Sequence, residues 1–131
     1  MNYTHYSEET QIKIVSRDGY ALVHIEYPSE AVQLAAVQQN GRAIQYIENP
    51  SEAVKLAAVT QDGGAIQYME NPTDVVKLAA VQQDGLAIEY VKDPPEIVQL
   101  AAVRQCERAI MYITDPSDEI RSYANLLKLG Q

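Results

Sequence analysis

The sequence predicts an all-α protein, an α-solenoid of stacked 22-residue helical hairpins with about five units and a C-terminal capping helix. Three observations carry this. A proline recurs at Pro28, Pro50, Pro72, Pro94 and Pro116, always 22 residues after the last. Around it the chain repeats AIQYIENPSEAVKLAAV, AIQYMENPTDVVKLAAV and AIEYVKDPPEIVQLAAV. A unit this short cannot bury its apolar face alone and must close it against its neighbours. Finally, the Ala-rich LAAV blocks are poor strand formers and their flanks lack strict alternation, so the Asn-Gly and Asp-Gly pairs mark helix ends rather than β-hairpins.

Units begin near residues 6, 28, 50, 72, 94 and 116 and make one domain spanning 1–131. In the unit from Pro50 to Asn71, Asn49 is the expected N-cap, Pro50 the first helical residue and Glu52 an acid reaching back as a capping box. The pattern recurs as Asn71, Pro72, Asp74, as Asp93, Pro94, Glu96 and as Asp115, Pro116, Asp118. The first helix is expected over Pro50 to Gln61, with Val54, Ala57, Ala58 and sometimes Leu56 inward. Gly63, like Gly41 and Gly85, is expected to stop it in a left-handed conformation. A second, shorter helix follows over about Ala65 to Glu70, with Ala65, Ile66, Tyr68 and Met69 on one stripe.

The ends depart from the pattern as capping repeats do. Thr10 and Lys13 replace the apolar Val and Ala of later units, and Tyr6 stands where they have proline. Met1 to His5 are expected to be disordered or loosely attached. At the other end Ile120, Tyr123, Ala124, Leu126 and Leu127 form a last amphipathic helix able to cover the fifth unit, which suggests a complete array. Cys106-Glu107 replaces Asx-Gly in that unit, so Glu107 is expected either to hold a strained turn or to let the two helices fuse.

Composition narrows the function. There is no Trp or Phe, but nine Tyr and much Ala, so the core is expected to be thin. No apolar run approaches the roughly 18 residues of a membrane span, and MNYTHYSEET has no leader pattern. One cysteine fits a reducing compartment, and the expected location is cytoplasmic. A net charge of −8, from 18 acidic and 10 basic residues, argues against direct nucleic-acid binding and for a partner with a basic surface.

Through these units the chain resembles a bacterial and viral family of uncharacterised 22-residue helical repeats, with units close to NPSEEVQLAAVKQNGYALQYI. The resemblance covers about Tyr6 to Asp118 through the Pro-Ser-Glu start, the LAAV block, the Gln-Asx-Gly turn and the Ile-x-Tyr-Ile helix. It implies a repeat scaffold and supplies no catalytic motif. The polar first unit and Glu107 depart from it.

Comparing columns within the chain separates scaffold from variable surface. Tyr46, Tyr68, Tyr90 and Tyr112, with His24, form a near-constant column expected to pack, and Gln39, Gln61, Gln83 and Gln105 one expected to bond along the stack. Two columns vary: Tyr20, Arg42, Gly64, Leu86, Arg108, and Val23, Gln45, Gln67, Glu89, Met111. The expected protein-binding stripe is therefore Tyr20, Arg42, Leu86, Arg108, Gln45, Gln67, Glu89 and Met111, facing solvent. Acids flank each inter-unit turn as a candidate edge: Glu26, Glu30, Glu48, Glu52, Glu70, Asp74, Asp93 and Glu96. Capping and solubility account for many of these, since acids complement the helix dipole.

No metal-ligand spacing, phosphate-binding loop or dinucleotide motif appears, so neither metal nor cofactor is expected. His5, His24 and Cys106 are scattered over the chain and point to no nucleophilic constellation. The expected function is a non-enzymatic scaffold that binds another protein through one solenoid face, as a monomer or an end-to-end homodimer. The alternative is an acidic inhibitor from a phage or mobile element, which imitates nucleic acid and occupies a basic cleft of a host defence complex.

Overall fold

In the computed structural model, which describes residues 1–130, each 22-residue unit is one α-helix followed by one short 3-10 helix. The α-helices are α1 (Glu8–Arg17), α2 (Glu30–Gln39), α3 (Glu52–Gln61), α4 (Asp74–Gln83), α5 (Glu96–Gln105) and α6 (Asp118–Leu129). Between them lie the 3-10 helices η1 (Gly19–His24), η2 (Gly41–Tyr46), η3 (Gly63–Tyr68), η4 (Gly85–Tyr90) and η5 (Glu107–Tyr112). No strand occurs among the described residues, and each element packs only within its own unit or on the adjacent one. The molecule is an α-solenoid of the predicted class. Its core is two layers thin: Val54, Ala58 and Val59 of α3 meet Ala65 and Ile66 of η3, and the same positions are buried in the α2–η2 and α4–η4 units. Ala57 and Leu56, expected inward, are only half buried between helices.

The second helix, expected over about Ala65 to Glu70, is a 3-10 helix over Gly63–Tyr68. It begins at the glycine and closes i→i+3 bonds, Ala65 N–H to Asp62 O at 2.9 Å and Met69 N–H to Ile66 O at 3.1 Å. The Asp62 carboxylate accepts from Gly64 N–H at 2.9 Å and holds the first turn. Six residues at about 2 Å rise span nearly the length of the ten-residue α-helix beside them, so the chain returns to the same end of the stack.

Helix starts also fall two residues later than expected. Ser7, Ser29, Ser51, Thr73 and Ser117 are the N-caps, each hydroxyl accepting from the N–H three residues on. Asn49 instead takes φ 49°, and Asn71, Asp93 and Asp115 match it at 48°, 49° and 51°. Asn and Asp tolerate this left-handed region, and here it reverses the chain before the proline leads into the helix. Tyr27 occupies the same position at φ 54° with no such tolerance.

The glycines serve another purpose than expected, for none has positive φ. Their role is close approach. A Cβ on Gly41, Gly63 or Gly85 would collide with the carbonyl oxygen of Ala58, Ala80 or Ala102 in the next unit. Each glycine N–H, buried at that contact, donates to the glutamine of the next helix: Gly19 to Gln39 at 2.7 Å, and Gly41 to Gln61 and Gly63 to Gln83 at 2.6 Å. Gly85 does the same with Gln105. Glu107 therefore produces neither strain nor fusion: Cys106 keeps the extended φ −149° of its counterparts and η5 forms normally. The next helix carries Leu127 where the others have glutamine, and a surface groove of about 400 Å³ is lined by Arg104, Cys106, Glu107 and Leu127 where it meets η5.

Both termini cover the stack. Residues expected to be loose are tied down, with Tyr3 N–H donating to His24 O at 2.8 Å and Glu26 N–H to Thr4 Oγ1 at 2.9 Å. The Gln11 amide donates to the Tyr3 and Thr4 carbonyls, so this segment stands in for a preceding unit. Thr10 and Lys13 face water as expected, Ile120 and Ala124 of α6 are buried, and Leu126 is exposed rather than covering anything.

Adjacent glycines should respond differently to alanine. Gly63→Ala pushes on a backbone carbonyl and should cost about 2–3 kcal/mol. Gly64→Ala meets side-chain atoms instead of backbone, Arg42 Nη2 and Asp62 Oδ1, and should cost under about 1 kcal/mol by thermal melting. Tyr27→Asn should stabilise by up to about 1 kcal/mol, by relieving the left-handed penalty.

Candidate functional site

The variable stripe lies on the 3-10 helices, but its two columns differ in nature. Gln45, Gln67, Glu89 and Met111 are all exposed. Gln45 and Gln67 fold back, each Nε2 donating to a carbonyl three residues earlier, Arg42 O at 3.0 Å and Gly64 O at 2.9 Å. In the other column Tyr20 and Arg108 are exposed, Arg42 and Leu86 are half buried, and Gly64 is buried. That column does not face solvent throughout.

Arg42 explains the irregularity. Its Nε donates to Asp62 Oδ2 in the next unit at 2.7 Å. The guanidinium lies over Gly64, where a Cβ would crowd Nη2. Hydrogen bonding to Asp62 and then its charge raise the Arg42 pKa, with a smaller contribution from Tyr68. Arginine in one unit and glycine in the next are therefore complementary partners.

The tyrosine column is more exposed than packing alone requires. Tyr46, Tyr68, Tyr90 and Tyr112 are 39–50% exposed. The variable column of one unit meets the tyrosine of the next: Tyr20 contacts Tyr46 edge-on at 5.8 Å and 86°, and Arg42 approaches Tyr68. Hydrogen bonding to Glu89 and then its charge push the Tyr90 phenol above its ordinary range. His24 starts the column and is covered edge-on by Tyr3 at 5.8 Å.

The acidic edge divides into two sets. Glu30 accepts from the Ser51 hydroxyl at 2.9 Å and Glu52 from the Thr73 hydroxyl at 2.6 Å, so each links one unit's first helical residue to the next unit's cap. Glu8 does the same with Ser29 at 3.2 Å. These acids are first in their helices and bond forward, in place of the backward capping box. The series stops at Asp74, because Pro95 occupies the next cap without a side-chain bond; Asp74 lies 3.6 Å from Lys77. Asp93 makes the left-handed turn, and Glu96 is exposed.

Glu26, Glu48 and Glu70 are exposed on the loops and border the tyrosines. A cleft of about 570 Å³ is lined by Glu26, Tyr46, Glu48 and Asn49, and a second of about 640 Å³ by Glu48, Tyr68, Glu70 and Lys55. The pairing of tyrosine with loop carboxylates was missed in the sequence, although both columns keep the same spacing. In the next unit Lys92 replaces the glutamate and ends the series.

Other candidates stay apart. His5 is exposed, Cys106 is half buried at an Asx position, and no group of potential metal ligands forms among the described residues. No described helix is long and apolar enough to cross a membrane. Compared with protein-family models, curated proteins and solved structures, the chain gives no match.

Ser51 both caps α3 and binds Glu30, so Ser51→Ala should cost about 1 kcal/mol in urea unfolding. Ser51→Thr, which keeps the hydroxyl as Thr73 does, should cost clearly less.

Proposed function

We propose that this chain is a non-enzymatic scaffold that holds a partner protein on its 3-10-helix face. The row of half-exposed tyrosines is the observation that supports this. Tyrosine supplies large, rigid contact area at low entropic cost and is enriched among residues that dominate binding energy. Gln45, Gln67, Glu89 and Met111 beside the row vary from unit to unit, so identical backbones present a non-repeating surface. The Glu26, Glu48 and Glu70 carboxylates next to Tyr46 and Tyr68 favour a partner with lysine or arginine, through charge and through contact with the ring faces.

A second reading is an inhibitor that imitates nucleic acid for a basic cleft. The observation that favours it is the even placement of Glu26, Glu48 and Glu70, outside the ion pairs of the described residues, on a chain of charge −8.

Affinity capture from the source cells, comparing wild type with Tyr46→Ser/Tyr68→Ser and with Glu26→Lys/Glu48→Lys/Glu70→Lys, separates these. A partner lost with the tyrosine variant, and held more weakly as salt rises with the lysine variant, supports the scaffold. Loss of a nucleic-acid-binding complex with the lysine variant alone supports the mimic. Identical retained proteins from all three discard this face.

A further inference from the structure

The middle helices are apolar on two sides. Val76, Ala80 and Val81 of α4 and Val98, Ala102 and Val103 of α5 fill the core. Val75 and Ile97 stand on their outer sides, next to Leu78, Ala79, Leu100 and Ala101, which are half buried against the same core. A helix apolar all round belongs in an interior, yet this side is open. The outermost column runs Glu9, Ala31, Ala53, Val75, Ile97, Glu119, so apolar bulk is confined to two adjacent units with charge at both ends. Val75 and Ile97 are 62% and 63% exposed. Both are poorer helix formers than the alanines of their own column, and nothing in the stack requires them.

Beside them lies a trough of about 680 Å³, formed by Leu78 of α4, Ile97, Leu100 and Ala101 of α5, and Tyr123 of α6. Arg104 borders the trough near one end of α5, and Glu96 is exposed at the opposite end of that helix, beside the trough. Neither makes an ion pair among the described residues. The occupant that complements this surface is a short helix with an apolar ridge, an acid at one end and a base at the other. α5 is itself such a helix.

We infer that the α5 face is an isologous dimer interface, in which α5 of a second copy lies antiparallel in this trough. A two-fold axis near Leu100 and Ala101 sets the larger side chain of one copy against the smaller of the other. The same axis brings each Arg104 to the Ile97 end of the opposite helix, its methylenes over that isoleucine and its guanidinium near Glu96. Complementary charge at both ends specifies the antiparallel register, and like charges would oppose the parallel one. The tyrosine row lies on other elements and stays open in this dimer, so the dimer and the scaffold reading stand or fall separately.

Sedimentation equilibrium across the micromolar range tests the interface. The wild type should pass from monomer to dimer as concentration rises. Val75→Ala/Ile97→Ala restores the alanines of the column, so its melting temperature should hold while dimerisation weakens at least roughly tenfold. Arg104→Glu should weaken it comparably, and the swap Arg104→Glu/Glu96→Arg should recover it. A monomer at every concentration overturns the proposal, as does a dimer indifferent to the alanine pair. Failure of the swap to recover what Arg104→Glu loses overturns the antiparallel arrangement.

Discussion

The structure depends on one close approach, that of a glycine backbone to the next helix. At Gly19, Gly41, Gly63 and Gly85 there is no room for a Cβ beside the alanine carbonyl of the following unit. That proximity buries the glycine N–H, and a buried donor without a partner costs about 1–3 kcal/mol. The glutamine of the following helix removes the cost by accepting from it. Spacing, register and satisfaction of the backbone are thus fixed by the same pair of residues. The small LAAV side chains follow from it, because bulkier ones would hold the helices too far apart for the glutamine to reach.

Much of this was legible as period and little of it as conformation. Proline spacing gave the repeat, and the Ala-rich block gave helices. Glycine after Asx has a local explanation, the left-handed stop, and a tertiary one, close approach. Only the neighbouring unit distinguishes them, and no pattern within one unit contains it. Asn49 and Ser51 are both good caps two residues apart, and the need to reverse the chain before Pro50 decides for serine. Arg42 and Gly64 look like unrelated entries in a variable column until the side chain of one is laid over the backbone of the other. The N-terminal cover was invisible for a different reason: Tyr3 and Thr4 act through backbone groups, one hydroxyl and the Tyr3 ring on His24, and share no side-chain type with Ile25 and Glu26, whose register they take.

The division of labour among the acids has a similar origin. Glu30 and Glu52 join neighbouring units through cap hydroxyls, which removes them from a surface role. Glu26, Glu48 and Glu70 have no such duty and gather beside the tyrosines. One sequence column serves the stack and another is free for the exterior, and the hydroxyl at the cap position decides which is which.

The glycine–glutamine interlock also has a direction, since each unit gives a donor to the next and takes one from the last. An array with such polarity invites open-ended growth, copy upon copy, into filaments. Here both terminal positions of the interlock refuse it. Arg17 stands where an incoming first helix would need glutamine, and a guanidinium has no acceptor to offer. At the opposite end Glu107 carries the Cβ for which the stacking distance leaves no space, and α6, which packs there, brings Leu127 in place of glutamine. Whatever attraction these two side chains have for each other, the backbones cannot close. Arg17 and Glu107 thus break the interlock at both of its terminal positions.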